Sequence, residues 1–214
     1  MKNEKLKPFN FGYDIIDRRA KNFPDQTAVV WHSPNGFALE ISNADLHHHS
    51  DVTAYYLRRL GVGQGSVIML YGLEKAFELT TVLTALHKLC AVPAFDLQTE
   101  AIKNSNSLEA YSIIANNNSP VIQQVNNNRH QLLTVELLIN TGNPCPDYWL
   151  DLHTGARMAK TFKPVEKIPK DRTSLIIIDT EPIFFNEKYP LTTTTNYLWD
   201  KFYRTMTEGK VFDF

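Results

Sequence analysis

The chain has 214 residues, 43% hydrophobic and 21% charged, with a formal net charge of −1. This is the make-up of an ordinary globular protein, long enough to bury a core without disulfides or metals. The near-neutral charge gives no whole-chain attraction to nucleic acid or to an anionic membrane, and no apolar stretch approaches the roughly 20 residues that cross a bilayer.

The lysine-rich start, Met1 to Pro8, has no apolar segment behind it, so no secretory signal is expected. Cys90 and Cys145 lie far apart without a CxxC partner, and reduced thiols in the cytoplasm are the simplest expectation. Tyr13, Ile15, Ile16 and Ala20 predict a helix over 13–22, with Arg18, Arg19 and Lys21 at its negative end and Pro24 after it. Thr27–Trp31 and Phe37–Ile41 flank Ser33-Pro34-Asn35-Gly36, a turn, and predict a hairpin. Ser42, three residues before Asp45, predicts a capped helix running to about Leu60. Gly61, Gly63 and Gly65 end it.

Ser66–Tyr71 reads as a buried strand, Gly72 as its break, Glu74–Cys90 as a strong helix, and Ala91–Phe95 as a short strand. Residues 96–131 are rich in asparagine and predict a turn-rich region, with a short helix from Ser107 to Ala115 and a short strand at Val121-Ile122. Leu132–Ile139 is a further strand candidate. A short helix is expected around Ala156, and Pro164 and Pro169 bracket a linker-like stretch. Leu175–Ile178 is the clearest central strand of the second half. A helix over 196–206 follows Thr192–Thr195, and Gly209–Phe214 closes as a strand. Strands alternating with helices predict an α/β fold: a mostly parallel sheet with flanking helices, together with a smaller Asn-rich lobe after residue 96.

Several of these pieces stand in a known order. Phe9-Asn10-Phe11-Gly12-Tyr13-Asp14 opens a helix that ends Lys21-Asn22-Phe23-Pro24-Asp25. Then come Ala28-Val29-Val30-Trp31 and a helix from Ser42-Asn43-Ala44-Asp45-Leu46 to Leu60-Gly61-Val62-Gly63-Gln64-Gly65. Val67–Tyr71 and Leu83–Ala94 complete the series. The chain resembles the N-terminal subdomain of the adenylate-forming superfamily, specifically acyl-CoA and acetyl-CoA synthetases. The match is good over 1–95, which leaves 96–214 as a divergent part of one domain spanning 1–214. Trp149-Leu150-Asp151, Asp171–Ile178 and Tyr189-Pro190-Leu191 can be laid on later pieces of that family.

The resemblance implies ATP- and Mg²⁺-dependent activation of a carboxylate and transfer to coenzyme A. That chemistry uses a phosphate loop rich in Ser, Thr and Gly, whose backbone N–H groups close around phosphate oxygens. The corresponding stretch here is Asp179-Thr180-Glu181-Pro182-Ile183-Phe184-Phe185-Asn186-Glu187-Lys188. It has no glycine, its proline removes a donor, and its acids repel polyphosphate. No catalytic, cofactor-binding or metal-binding residue is therefore assigned. A truncated, degenerate, non-catalytic relative is expected, acting by association with a second copy or another protein. Two alternatives stand beside it: one piece of a split acid–thiol ligase, or a binder of a nucleotide or acyl-CoA.

Other residue groups invite chemistry. Gly61-x-Gly63-x-Gly65 follows a helix and precedes a strand, the reverse of a dinucleotide loop, and reads as a cap and turn. His47, His48 and His49 are successive on a helix, point about 100° apart and cannot converge on one metal. His87 and Cys90 share a face but supply two ligands where zinc takes four, so packing is expected. Asp179 and Glu181 follow a strong strand, where a cation or proton-transfer role competes with a solvated turn. Thr192–Thr195 read as a helix start. Tyr71-Gly72, at a strand end, could line the same crevice.

Overall fold

A computed structural model describes residues 9–32, 35–73, 75–160, 173–186 and 198–213. The chain opens with a π-helical turn, Gly12–Asp17, that continues into α1, Arg18–Asn22. β1 (Thr27–His32) and β2 (Ala38–Ser42) form the expected antiparallel hairpin. Helix α2 (Asn43–Arg59) starts with a complete capping box, in which the Ser42 side chain accepts from Asp45 N and the Asp45 carboxylate accepts from Ser42 N. β3 (Val67–Tyr71), α3 (Ala76–Lys88) and β4 (Val92–Asp96) follow as a βαβ unit, with β3 and β4 paired in parallel.

The Asn-rich region departs from expectation. Helix α4 occupies Ala101–Ser107 and ends where a helix was expected to begin, because Glu109 takes a left-handed φ of 49°. Ser112–Ala115 is a fully buried strand, β5, not the end of that helix. Val121 and Ile122 open a helix, α5 (Val121–Asn128), instead of a strand. Pro120 before them presets a helical φ, and Val121 and Val125, four residues apart, bury one face. The strand expected over 132–139 is shorter and later: β6 runs Leu137–Asn140, after a 3₁₀ turn at Arg129–Gln131. β7 (Leu150–Asp151) and α6 (Leu152–Arg157) come next, the helix capped by Asp151 accepting from Thr154 N.

β8 (Thr173–Ile178) and β9 (Pro182–Asn186) are an antiparallel pair. Helix α7 (Leu198–Thr207) and β10 (Phe212–Asp213) end the described chain. Pro164, Pro169 and Thr192–Thr195 lie outside the described residues, as do Glu187–Leu191.

Two sheets result. The larger has the order β7-β6-β5-β3-β4-β8-β9, parallel except for β9. The smaller, β10-β1-β2, pairs β10 in parallel with β1. The Asn-rich region is no separate lobe: β5, β6 and β7 extend the main sheet. Alternate residues of β3 serve opposite faces, as the pleat requires. Ile68 and Leu70 join Leu46, Leu57, Leu83 and Leu86 from α2 and α3. Met69 and Tyr71 join Ala101, Val121 and Val125 from α4 and α5. The sheet is thus covered on both sides, which is why its strands carry near-continuous apolar runs.

Candidate functional site: the crevice at the carboxyl ends of β3, β4 and β5

In the order β5-β3-β4, the helix after β3 leads one way and the helix after β5 the other. Helix α3 packs on the face of Ile68 and Leu70, and α5 on the face of Met69 and Tyr71. Their departure in opposite directions opens a crevice outside the strand ends, the usual ligand position of open α/β sheets. A cavity of about 560 Å³ lies there, walled by Tyr71, Gly72, Asp96, Ser119 and Trp199.

Tyr71 is buried and donates from its hydroxyl to Asp96 Oδ2 at 2.9 Å. Burial and the neighbouring carboxylate push the phenol far above its usual range, so it remains a hydrogen-bond donor throughout the physiological range. The other Asp96 oxygen accepts from Gln98 N at 2.9 Å. Gly72 has a φ of +67°, and a Cβ there would stand 2.8 Å from Asn118 Oδ1 and 2.9 Å from Ser119 Cβ. The bare backbone lets the loop after β5 close over the end of β3, where Asn116 N donates to Tyr71 O at 3.1 Å. Phe95 and Trp199 stack across one wall, with ring centroids 5.4 Å apart.

Among the described residues the walls include no lysine, arginine or histidine. Both oxygens of the one carboxylate are engaged, and the remaining surface is largely apolar. Such a crevice suits an uncharged or apolar group and offers no cation to a polyphosphate. Tyr71 and Gly72, marked by their position at a strand end, do line it. Asp96 and the 118–120 loop were missed, although Asp96 occupies the same strand-end position on the next strand.

The segment expected to correspond to a phosphate loop leaves β8 through Asp179, Thr180 and Glu181 and returns at once as β9, with Ile178 facing Pro182 across the ladder. Asp179, Thr180 and Glu181 are exposed, and Asp179 accepts from Gln98 Nε2 at 3.0 Å. This is a β-hairpin. Its described backbone pairs with β8, Thr173 facing Asn186 and Ile178 facing Pro182. Pro182 sits on the outer strand, where a missing N–H is tolerated.

The other candidate groups lie elsewhere in the fold. Gly61 and Gly65 have φ values of +96° and +79° and carry the chain from α2 into β3. His87 is buried, with Nε2 2.6 Å from the Tyr203 hydroxyl, and burial lowers its pKa to about 4. Buried Cys90 takes a weak hydrogen bond from Asn10 Nδ2 at 3.5 Å, and Cys90 and Cys145 are free thiols.

Of the three successive histidines, His47 joins a pair of carboxylates. Its Nδ1 is 2.7 Å from Asp17, and its Nε2 is 3.6 Å from Asp51. These three have metal-ligand spacing, but the ammonium of Lys88 already occupies the centre, 2.6 Å from each carboxylate. The signal for this cluster was the i, i+4 spacing of His47 and Asp51. Asp17 and Lys88 arrive from other elements.

Architecture and crevice together define an α/β domain of the kind found at the N-terminus of acyl-CoA ligases. No family model matches the chain, and no curated protein does. Solved structures do match. The anthranilate CoA ligase AuaEII, solved with anthranoyl-AMP, superposes with a TM-score of 0.76 at 19% identity, over 90% of this chain and 38% of that one. The N-terminal domain of FACL13 from Mycobacterium tuberculosis, solved with an inhibitor, gives 0.77 at 16%, over 95% and 56%. A long-chain-fatty-acid-CoA ligase (FadD1) from Archaeoglobus fulgidus gives 0.78 at 14%, over 97% and 47%. At these identities the likeness is one of fold, and the chain spans about half the length of the structures it matches, or less.

Proposed function

We propose that this chain is a non-catalytic, acyl-CoA-synthetase-like domain that acts by binding or association. The observation that carries this reading is the glycine-free β8–β9 hairpin, in the stretch that the sequence resemblance aligns with a glycine-rich anion cradle. The crevice supports it, since its walls hold no cation among the described residues. In this reading the chain uses no ATP, Mg²⁺ or coenzyme A of its own. The test is ATP–pyrophosphate exchange by the purified chain with acetate, medium-chain and long-chain fatty acids. The expected result is no exchange above a heat-treated control. Exchange that depends on one of the acids would overturn the proposal.

A second reading has one observation in its favour: the chain spans 38% and 47% of two ligases it matches. As one piece of a split acid–thiol ligase, it would co-purify with a second polypeptide and show exchange only in the mixture.

A further inference from the structure

A second cavity, of about 350 Å³, lies where α6 packs beside α2 and α3. It shares no lining residue with the crevice. Its size is at the small end of the range for organic ligands, about 300–1,000 Å³. Val52, Phe77 and Leu152 give it apolar walls.

Glu78 lines this cavity and is only 7% exposed. Its Oε2 accepts from Asn116 Nδ2 at 2.9 Å and from Thr141 Oγ1 at 3.2 Å. Among the described residues, its Oε1 meets the exposed Lys75 ammonium at 3.5 Å and His153 Nε2 at 3.9 Å. That histidine nitrogen is already 2.9 Å from the Thr141 carbonyl. One turn along α3, Thr81 is 6% exposed, and its Oγ1 has no hydrogen-bond partner. A buried hydroxyl without a partner is costly, and a donor or acceptor in the cleft would satisfy it. Arg157, at the end of α6, also lines the cavity, is exposed, and its guanidinium has no partner among the described residues. The cleft is therefore lined by a buried acid and a buried, unpartnered hydroxyl on α3, an apolar middle, and a cation on α6 with no partner among the described residues. Those features complement a dipolar molecule with an apolar body.

We propose that the cleft between α2, α3 and α6 binds a small apolar α-amino acid as its zwitterion. The ammonium meets Glu78 Oε1 and Thr81 Oγ1, the side chain lies against Val52, Phe77 and Leu152, and the carboxylate pairs with Arg157. A lone carboxylic acid is repelled by Glu78. A lone amine leaves Arg157 unpaired.

The test is titration of the full chain with L-leucine, followed by thermal melting and by amide shifts of residues 48–53, 77–82 and 152–157. Two fragments are titrated in parallel: 3-methylbutylamine, which lacks the carboxylate, and 4-methylpentanoate, which lacks the ammonium. Saturating leucine is expected to raise the melting temperature by several degrees. Each fragment should bind about tenfold more weakly, or worse, for loss of one charge-assisted contact. Thr81→Val and Glu78→Gln should weaken leucine binding. Arg157→Ala, an exposed substitution that leaves the core intact, should abolish the preference for leucine over the amine. The proposal is overturned if leucine and phenylalanine produce no shift at millimolar concentration. It is equally overturned if either fragment matches leucine, or if Arg157→Ala leaves leucine affinity unchanged. None of these outcomes bears on the exchange assay, because the two cavities are separate.

Discussion

Lys88 shows what one side chain contributes here. Its ammonium is fully buried, yet it sits 2.6 Å from both Asp17 and Asp51, tying the N-terminal π turn to α2 and α3. Removing one partner of a buried ion pair leaves uncompensated charge and costs about 3–5 kcal/mol. Lys88→Met strands two carboxylates beside His47, so its urea midpoint should fall by a corresponding amount at neutral pH.

Two histidines give opposite pH dependences. Burial lowers His87 from 6.5 to about 4, so the folded state binds fewer protons than the unfolded one. Its contribution is present above pH 6.5 and is lost as pH falls toward 4, about 3 kcal/mol in all. The Asp17 hydrogen bond raises His47 above its ordinary 6.5, so its contribution is complete below 6.5 and fades as pH rises through the raised value. Urea melts from pH 4 to 8 should show the acid loss disappear in His87→Gln. The same melts should show the gap between wild type and His47→Gln close toward the alkaline end.

At the scale of elements, the junction of β3 and α3 is tightly constrained. Gly72 stands at φ +67° with Asn118 and Ser119 pressed against the place of its missing Cβ. Gly72→Ala should combine left-handed strain of about 1–2 kcal/mol with an overpacking cost of about 1–3 kcal/mol. It should lower the urea midpoint and move the amide signals of residues 116–120, while the α2 capping box, remote in sequence and built on Ser42 and Asp45, stays unchanged.

Taken whole, the molecule covers both faces of its main sheet but leaves β9 as an outer strand among the described residues. Ile183 and Phe184 on that strand are 51% and 58% exposed. An outer strand with exposed apolar side chains invites edge-to-edge pairing. Sedimentation velocity at rising concentration should show self-association that Phe184→Lys reduces. A wild-type chain that stays monomeric at high concentration would mean that this edge is not adhesive. No helix among the described residues is long and apolar enough to cross a membrane.

What the sequence determined by itself was local. Ser42 and Asp45 specify the start of α2, Asn35-Gly36 lies between the two strands of a hairpin whose residues 33–34 are outside the described residues, and the apolar run Leu175–Ile178 marks a buried strand. Each rests on contacts between near neighbours or on a side-chain period. The absence of glycine after β8 was legible in the same way. Residues 107–128 were misread because short apolar runs such as Ile113-Ile114 and Val121-Ile122 suit a helix or a strand equally, and only their place in the sheet decides. The strand order, the meeting of Tyr71 with Asp96, the capture of Lys88 between Asp17 and Asp51, and the cleft joining Glu78 to Arg157 all required tertiary structure. They bring together residues from separate elements, and no pattern along the chain encodes a distance in space.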